Sequence, residues 1–215
     1  VTALIRQATT AAISYSNAED RQEVRDRLVA ILATGLRDAM PGSDHQVAYA
    51  NGLATAATTD AADLLKGWLS GEEVPEGLSI DQGMRWRLVT ALARVGRVGE
   101  DEIAAELQRD NTISGSEQAA GARAAMPTAQ AKQAAWQRAT TDDSVPNETY
   151  RQLVMQFIQP DQTEVLSPYV DPYLELCKAI DSHEGQWAKA GHAQVQNALM
   201  WLFPSTEVID LSLIH

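Results

Sequence analysis

Apolar residues recur along almost the whole chain at intervals of three and four, the spacing that gathers them on one face of a helix. The clearest stretch is 81–110, which reads as two helices joined by a tight turn. In the first, Met84, Leu88, Leu92 and Val95 share a face that Val89 and Ala91 widen, while Trp86 and Ala93 fall on the opposite side. A helix apolar on two sides belongs between neighbours rather than on a surface. Gly96 and Gly99 mark the turn, where a left-handed residue ends a helix at low cost. Asp101 and Glu102 open the second helix, where the dipole favours carboxylates, and Ile103 and Leu107 form its inner face. Such a hairpin cannot bury itself, so the rest of the chain is expected to supply its neighbours.

Upstream, the pattern predicts a helix over 1–16 with Leu4, Ile5, Ala8, Ala12 and Ile13 inward. A second is predicted over 18–40, with Val24, Leu28, Ile31, Leu32 and Ala39 as its stripe and Pro41-Gly42 as its stop. Glu19, Asp20, Arg21, Glu23, Arg25, Asp26 and Arg27 crowd its beginning and read as a solvated face with i,i+4 pairs.

A repeat then emerges. Ser43 precedes Gln46, Ser79 precedes Gln82 and Ser114 precedes Glu117 at the spacing of a capping box, and Asn147 is a further cap. The starts 43, 79, 114 and 147 are separated by 36, 35 and 33 residues. Second helices are predicted over 60–69, 101–108 and 128–140, with one more opening at Asp161, and Trp68 and Trp136 hold similar places in two of them. Two helices per unit at this period predict an α-solenoid of HEAT-like pairs; the tetratricopeptide and ankyrin signatures are absent. A non-repetitive bundle with coincidental cap spacing is the competing reading. Pro168 and Pro172 fall inside a helical pattern over 161–181, so a kink or restart is expected near Tyr169. Another helix is predicted over 186–203, with Val195, Leu199, Leu202 and Phe203 inward and Pro204 as its stop, and 206–215 begins one more. No stretch reads as a strand. We expect one all-α superhelical domain over 1–215.

Composition narrows the function. Of 215 residues, 45% are hydrophobic and only 6% aromatic, with alanine abundant, which favours helix over sheet. The net charge of −12 argues against nucleic acid and anionic membrane as partners, since both require a basic face. No apolar run approaches the length of a membrane span and no signal peptide is visible. The single cysteine, Cys177, lies beside Leu174, Leu176 and Ile180 and reads as a small buried hydrophobe in a reducing, cytoplasmic setting. The chain opens on Val and is amphipathic at once, so we expect a piece of a longer protein that self-associates through the Val1 or the His215 end.

Little in the chain is written as chemistry. His183-Glu184 begins the zinc-protease motif His-Glu-x-x-His, but Trp187 stands where the second His must be. His45, His192 and His215 are far apart, so no local metal site is expected and His183 reads as an exposed terminus residue. Asp142-Asp143 resembles the acid pair of some all-α lyases, yet Thr140, Thr141, Ser144 and Pro146 around it favour a surface loop. Arg85 falls inside the apolar arc of its helix, where a guanidinium must be paired or line a polar cavity. An ion pair with Asp81 or with the next helix is one reading; a ligand-facing concave surface is the other. Arg123, among Ala119, Ala120, Ala122, Ala124 and Ala125, raises the same question, because small neighbours leave it in a groove.

These residues carry a resemblance. Asp81-Gln82-Gly83-Met84-Arg85-Trp86-Arg87-Leu88 with Ala91-Leu92 and Gly96 is similar to the C-terminal helical domain of bacterial aminopeptidase N, especially the actinobacterial type. So are Glu106-Leu107, Arg109-Asp110, Thr112, Gly115, Ala124-Ala125-Met126-Pro127 and Lys132. Asn147, Phe157, Gln162, Pro168-Tyr169-Val170 and Leu202-Phe203-Pro204 extend the likeness over 64–204. The resemblance implies a zinc metallo-aminopeptidase parent whose catalytic domain lies upstream, with His-Glu-x-x-His and a Gly-x-Met-Glu-Asn substrate motif. None of these occurs here, so no catalytic or metal residue is carried over and the chain by itself is expected to be inactive, without a cofactor. The implied role is a superhelix that closes over the active site and lines a chamber for peptide substrates, with the parent's own catalytic domain as its partner and Arg85 and Arg123 as candidates for meeting a carboxylate. The alternatives are a free-standing solenoid that binds a partner protein and a helical metal enzyme using Asp142-Asp143.

Overall fold

Every regular element is helical among the described residues, which in this computed structural model are 1–17 and 19–203. The chain divides into two compact units, Val1–Val98 and a second beginning at Gly99. The first unit contains α1 (Thr2–Ser14), α2 (Arg21–Asp38), α3 (Asp44–Ala56), α4 (Ala62–Ser70) and α5 (Gln82–Arg94). The second contains α6 (Glu100–Arg109), α7 (Ile113–Ala125), α8 (Ala129–Thr141), α9 (Asn147–Phe157), the single turn α10 (Thr163–Leu166), α11 (Val170–Asp181) and α12 (His192–Trp201).

Within the first unit α1 and α2 both pack on α3, and α5 receives α3 and α4. Within the second, α7 packs against α6, α8 and most broadly α9, while α12 returns to α9. Contacts between helices two apart in sequence, α1 with α3, α3 with α5 and α7 with α9, are those of stacked pairs in which each first helix meets the next first helix. The all-α class of HEAT-like pairs is therefore what the pattern predicted. The two-sided helix is α5: Met84, Leu88, Val89, Ala91 and Leu92 are buried, and so are Trp86 and Ala93 opposite them. Gly96 takes the left-handed conformation at φ 72°.

The caps differ from the sequence expectation at several pair starts. Ser43 Oγ accepts from the Gln46 N–H at 3.2 Å as expected, but the Gln46 Oε1 accepts from Gly42 at 2.8 Å instead of closing on Ser43. Ser79 gives way to Asp81, whose Oδ1 accepts from the Met84 N–H at 2.8 Å. Ser114 lies inside α7, which is capped by Thr112 Oγ1 on the Gly115 N–H at 3.0 Å. Asn147 is the first helical residue of α9 behind Pro146, and Gln162 rather than Asp161 precedes α10. Ser, Thr and Asp are near-equivalent caps, so where several lie within three residues the packing of the helix body selects one.

Other expectations need correction. Leu4 is 69% exposed and Ala8 is exposed, leaving Ile5, Thr9, Ala12 and Ile13 as the inner side of α1. Ile31 of α2 and Leu174 of α11 also face solvent. The pattern over 186–203 is broken into a 3-10 turn, Gly185–Ala188, and α12, which opens after Gly191. Leu202 is buried, but Phe203 is partly exposed and meets the Tyr173 ring edge-on at 5.5 Å. The restart near Tyr169 occurs: a 3-10 turn, Ser167–Tyr169, separates α10 from α11. Pro172 sits in the first turn of α11, where a missing N–H costs no helical bond. Cys177 is a free thiol, half-buried against the core of the second unit. The stop at Pro204, the helix over 206–215 and His215 lie outside the described residues.

The charge run at the start of α2 is only partly a solvated face. Glu23 and Arg27 pair in solvent at 2.5 Å, but Arg21 and Arg25 are buried. Arg25 is 1% exposed and its Nη2 donates to the Ala57 carbonyl at 2.9 Å, beyond the last residue of α3. Arg94 of α5 reaches the same place, with Nη1 on the Thr55 carbonyl at 2.7 Å and Nη2 on that of Ala57 at 2.6 Å. The second unit uses Lys132 of α8, which has no exposed area. Its Nζ donates to the Ala124 carbonyl at 2.7 Å and the Phe157 carbonyl at 2.6 Å, ending α7 and α9 together. Gln162 adds a bond to the Ala125 carbonyl at 2.8 Å. Burial pulls the Lys132 pKa down to about 7, against the pull of two carbonyls that favour the charged amine.

Arg25→Met is expected to lower the unfolding free energy by about 1–3 kcal/mol, the cost of leaving buried carbonyls without donors. Urea unfolding measures this, and a change within about 0.5 kcal/mol would return Arg25 to the solvated class. Lys132 sets a pH dependence. Between a folded pKa of about 7 and an unfolded value of 10.5, the unfolded chain holds a proton that the folded chain lacks, so stability rises with pH in that window and is flat below it. The slope contributed is at most about 1.4 kcal/mol per pH unit. Lys132→Met should remove it from melts taken between neutral and mildly alkaline pH, and an unchanged slope would overturn the assignment.

Candidate functional site

The candidate site is built on α7, whose last eight residues, Gln118 to Ala125, are alanine or glycine except for Gln118 and Arg123. Ala119, Ala120, Gly121, Ala122, Ala124 and Ala125 are all buried, so the helix is enclosed on nearly every side. Gly121 permits the approach of α9: a Cβ there would lie 3.3 Å from the Gln152 carbonyl oxygen and from Gln156 Cγ. Small side chains thus bring backbones together and leave one long polar side chain, Arg123, to find its own place.

Arg123 turns toward the start of α6. Its Nε donates to both carboxylate oxygens of Glu100 at 2.9 Å, and its Nη2 to Oε1 at 2.6 Å. Glu100 is the first residue of α6, and with Asp101 and Glu102 it fills the turn where the helix dipole favours negative charge. The capping is completed by Glu102 Oε2, which accepts from the Gly99 N–H at 3.0 Å. The Arg123 and Glu100 side chains remain 34% and 55% exposed, so the pair orients groups more than it stabilises the fold.

Beside this pair lies a pocket of about 270 Å³. Ala131, Ala134, Ala135 and Arg138 present one face of α8 to it, Ala120 and Ala124 of α7 and Leu153 of α9 add apolar wall, and Glu100 and Arg123 add charge. Arg138 makes no protein hydrogen bond among the described residues, and its charge adds to the two bonds from Ser144 that hold the Asp142 carboxyl low. The lining therefore combines methyl groups, one guanidinium already forked onto a carboxylate, and a second with unspent donors. Such a surface can hold an apolar side chain next to an anionic group. Thr128, the lining hydroxyl, is occupied in accepting from the Ala131 N–H at 3.2 Å.

The sequence singled out Arg123 and its groove of small residues but missed Glu100 and Arg138. The signal for Arg138 was present in the i, i+3, i+4, i+7 spacing of Ala131, Ala134, Ala135 and Arg138. Nothing local pairs Glu100 with Arg123. Arg85 lies in the other unit, half-buried, with its Nη1 on the Leu69 carbonyl at 2.8 Å in the last turn of α4. Asp142 and Asp143 form a surface turn in which Asp142 Oδ1 accepts from the Ser144 N–H at 3.0 Å and its hydroxyl at 2.5 Å. His45, His183 and His192 are exposed, and His183 has φ 54°. Among the described residues no three His, Cys, Asp or Glu side chains converge to hold a metal ion, and no helix is long and apolar enough to cross a membrane.

Comparison with known proteins places this architecture. Residues 1–207 match the family described as the ERAP1-like C-terminal domain. The chain is 39% identical over 209 residues to an aminopeptidase N of Streptomyces lividans, a match that covers 97% of this chain and 24% of that relative's length. The chain belongs to the ERAP1-like C-terminal domain family.

Proposed function

We propose that this chain is the non-catalytic C-terminal domain of a zinc aminopeptidase, and that it closes over the catalytic domain and lines the space that holds the peptide. One observation carries the reading: near-complete coverage of this chain by 39% identity to an aminopeptidase N, within 24% of that relative's length. Zinc would belong to the parent's catalytic part. The chain's own contribution is binding, orientation and exclusion of bulk, with no chemical step of its own. A cytoplasmic setting is part of this reading, supported by the lone free thiol. The alternative of a free-standing binding scaffold shares the same helical pairs and differs only in having no peptidase attached.

The pocket supports a place for substrate within this domain. Arg123 is held ready by Glu100, and an incoming carboxylate would compete with Glu100 for its fork. Arg138, free of hydrogen bonds among the described residues, would share that carboxylate, while the alanine wall accepts an apolar side chain. Arg85 is the second candidate for meeting substrate; its bond to Leu69 gives it a structural task as well.

The test is the intact polypeptide that contains this chain, assayed on single-residue amides and on peptides of graded length. Arg123→Ala and Arg138→Ala are each expected to raise KM for longer peptides about tenfold relative to the single-residue amide, the loss of one charged hydrogen bond. An unchanged ratio in both would remove the pocket from the substrate path. Arg85→Ala is expected to lower stability by about 1 kcal/mol through the lost carbonyl bond, and a shift in length preference as well would add it to the chamber. No peptidase activity in the intact polypeptide, with a specific protein captured by it, would favour the scaffold.

A further inference from the structure

Three helices wall the pocket, and one buried amine joins all three. Ala124 of α7, Ala131 of α8 and Leu153 of α9 line it. Lys132 follows Ala131 in α8. Its Nζ donates to the carbonyl of Ala124 itself at 2.7 Å and to that of Phe157, one turn beyond Leu153, at 2.6 Å. The amine lies 5.4 Å from the centre of the Phe157 ring, and the side chain has no exposed area. Little else fixes α8 beside the pocket. The close approach at Gly121 sets α7 against α9, which leaves α8 as the wall still to be placed. Ala135 and Ala139 share a buried cluster with Ala124, and methyl groups resist separation without fixing how far one helix slides along another. Trp136 adds another apolar contact, with the Phe157 and Tyr169 ring centres 5.8 and 5.1 Å away. Toward the far end of α8 the Ala139 carbonyl accepts from Gln186 Nε2 at 2.9 Å. Among the described residues, Lys132 is the only side chain of α8 that hydrogen-bonds another helix.

We propose that Lys132 is a positioning residue that sets the width of this pocket, and through it the size of the apolar side chain accepted beside Arg123 and Arg138. The role rests on the reading of the pocket as a place for substrate. Both bonds start from one nitrogen and end on two walls, so α8 cannot move away from α7 or α9 without breaking one of them. Ala131 and Arg138 lie on the adjoining side of the same helix, so the apolar wall and the guanidinium move with Lys132 as one body. Lys132 touches no ligand in this arrangement. It acts through the distance between methyl groups, and a pocket of about 270 Å³ walled by alanines changes its fit with a small displacement of one wall.

The test uses the intact polypeptide and peptides of one length that end in Ala, Leu or Phe, with a single-residue amide as reference. In Lys132→Met the side chain keeps its length and loses its donors. The expected result is that the KM of the Phe-ended peptide falls about tenfold relative to that of the Ala-ended one, while kcat on the amide is unchanged. Arg25→Met, which also strips a donor from a buried carbonyl but in the other unit, is expected to leave the ratio as it is, so loss of stability alone does not mimic the effect. Should Lys132→Met not fold, Lys132→Arg carries the test. Its fork still donates to two carbonyls, but its larger head in a site without exposed area must push α8 outward and move the ratio the same way. A ratio unchanged in the folded Lys132 variant, with Arg123→Ala still raising KM for the peptides, would overturn the role of Lys132 and keep the pocket as a substrate site. No change in either the Lys132 variant or Arg123→Ala would overturn both.

Discussion

A helix that ends inside a protein leaves up to four carbonyl groups without an intrahelical donor, and a buried carbonyl must find one. A chain of stacked short helices meets this constraint at every turn. Here it is met by long cationic side chains reaching from neighbouring helices. Arg25 and Arg94 converge on the end of α3, Arg85 reaches the end of α4, and Lys132 joins the ends of α7 and α9. The three arginines each place a cation at a helix C-terminus, so there the dipole adds to the hydrogen bond. Each also fixes a second helix against the first, because donor and acceptor come from different elements. The interaction that satisfies a local need is thus the one that sets pair against pair.

The second requirement is close approach. Where backbones come near, side chains are small: Gly52 under Ile5, Gly121 under Gln152 and Gln156, and the alanine run of α7. Bulk is concentrated elsewhere, as in the cluster of Trp136, Phe157 and Tyr169 with ring centres 5.1 to 5.8 Å apart. The pocket follows from the same division. A helix made of alanine cannot fill the space beside it, and that space is the pocket shared by α7 and α8. Arg123 stands in it because no other long side chain on the buried part of α7 competes for the room.

The helical class, the pair architecture, the two-sided burial of α5 and the restart at Tyr169 could all be read from apolar spacing, glycine and proline, because each depends on residues within a turn or two of one another. The groove around Arg123 was legible for the same reason. Its partner was not: Glu100 lies on another helix, and the acidic turn that holds it reads equally well as a simple dipole complement. Spacing also failed where a helix carries more apolar surface than it buries. Leu4 and Ile31 fit their stripes, yet the neighbour that would cover them is not fixed by the stripe.

What the sequence by itself determined is therefore the periodic part: which segments are helical, roughly where they end, and that they come in pairs. Tertiary structure alone decided which of several equivalent caps is used, as with Asp81 over Ser79 and Thr112 over Ser114. It also decided which charges are buried. Arg25 and Arg27 look alike in the chain, but one ends a helix 32 residues away and the other meets Glu23 in solvent. The physical reason is that helix formation is settled by interactions a few residues long, whereas the donor for a buried carbonyl is whatever side chain packing delivers to it.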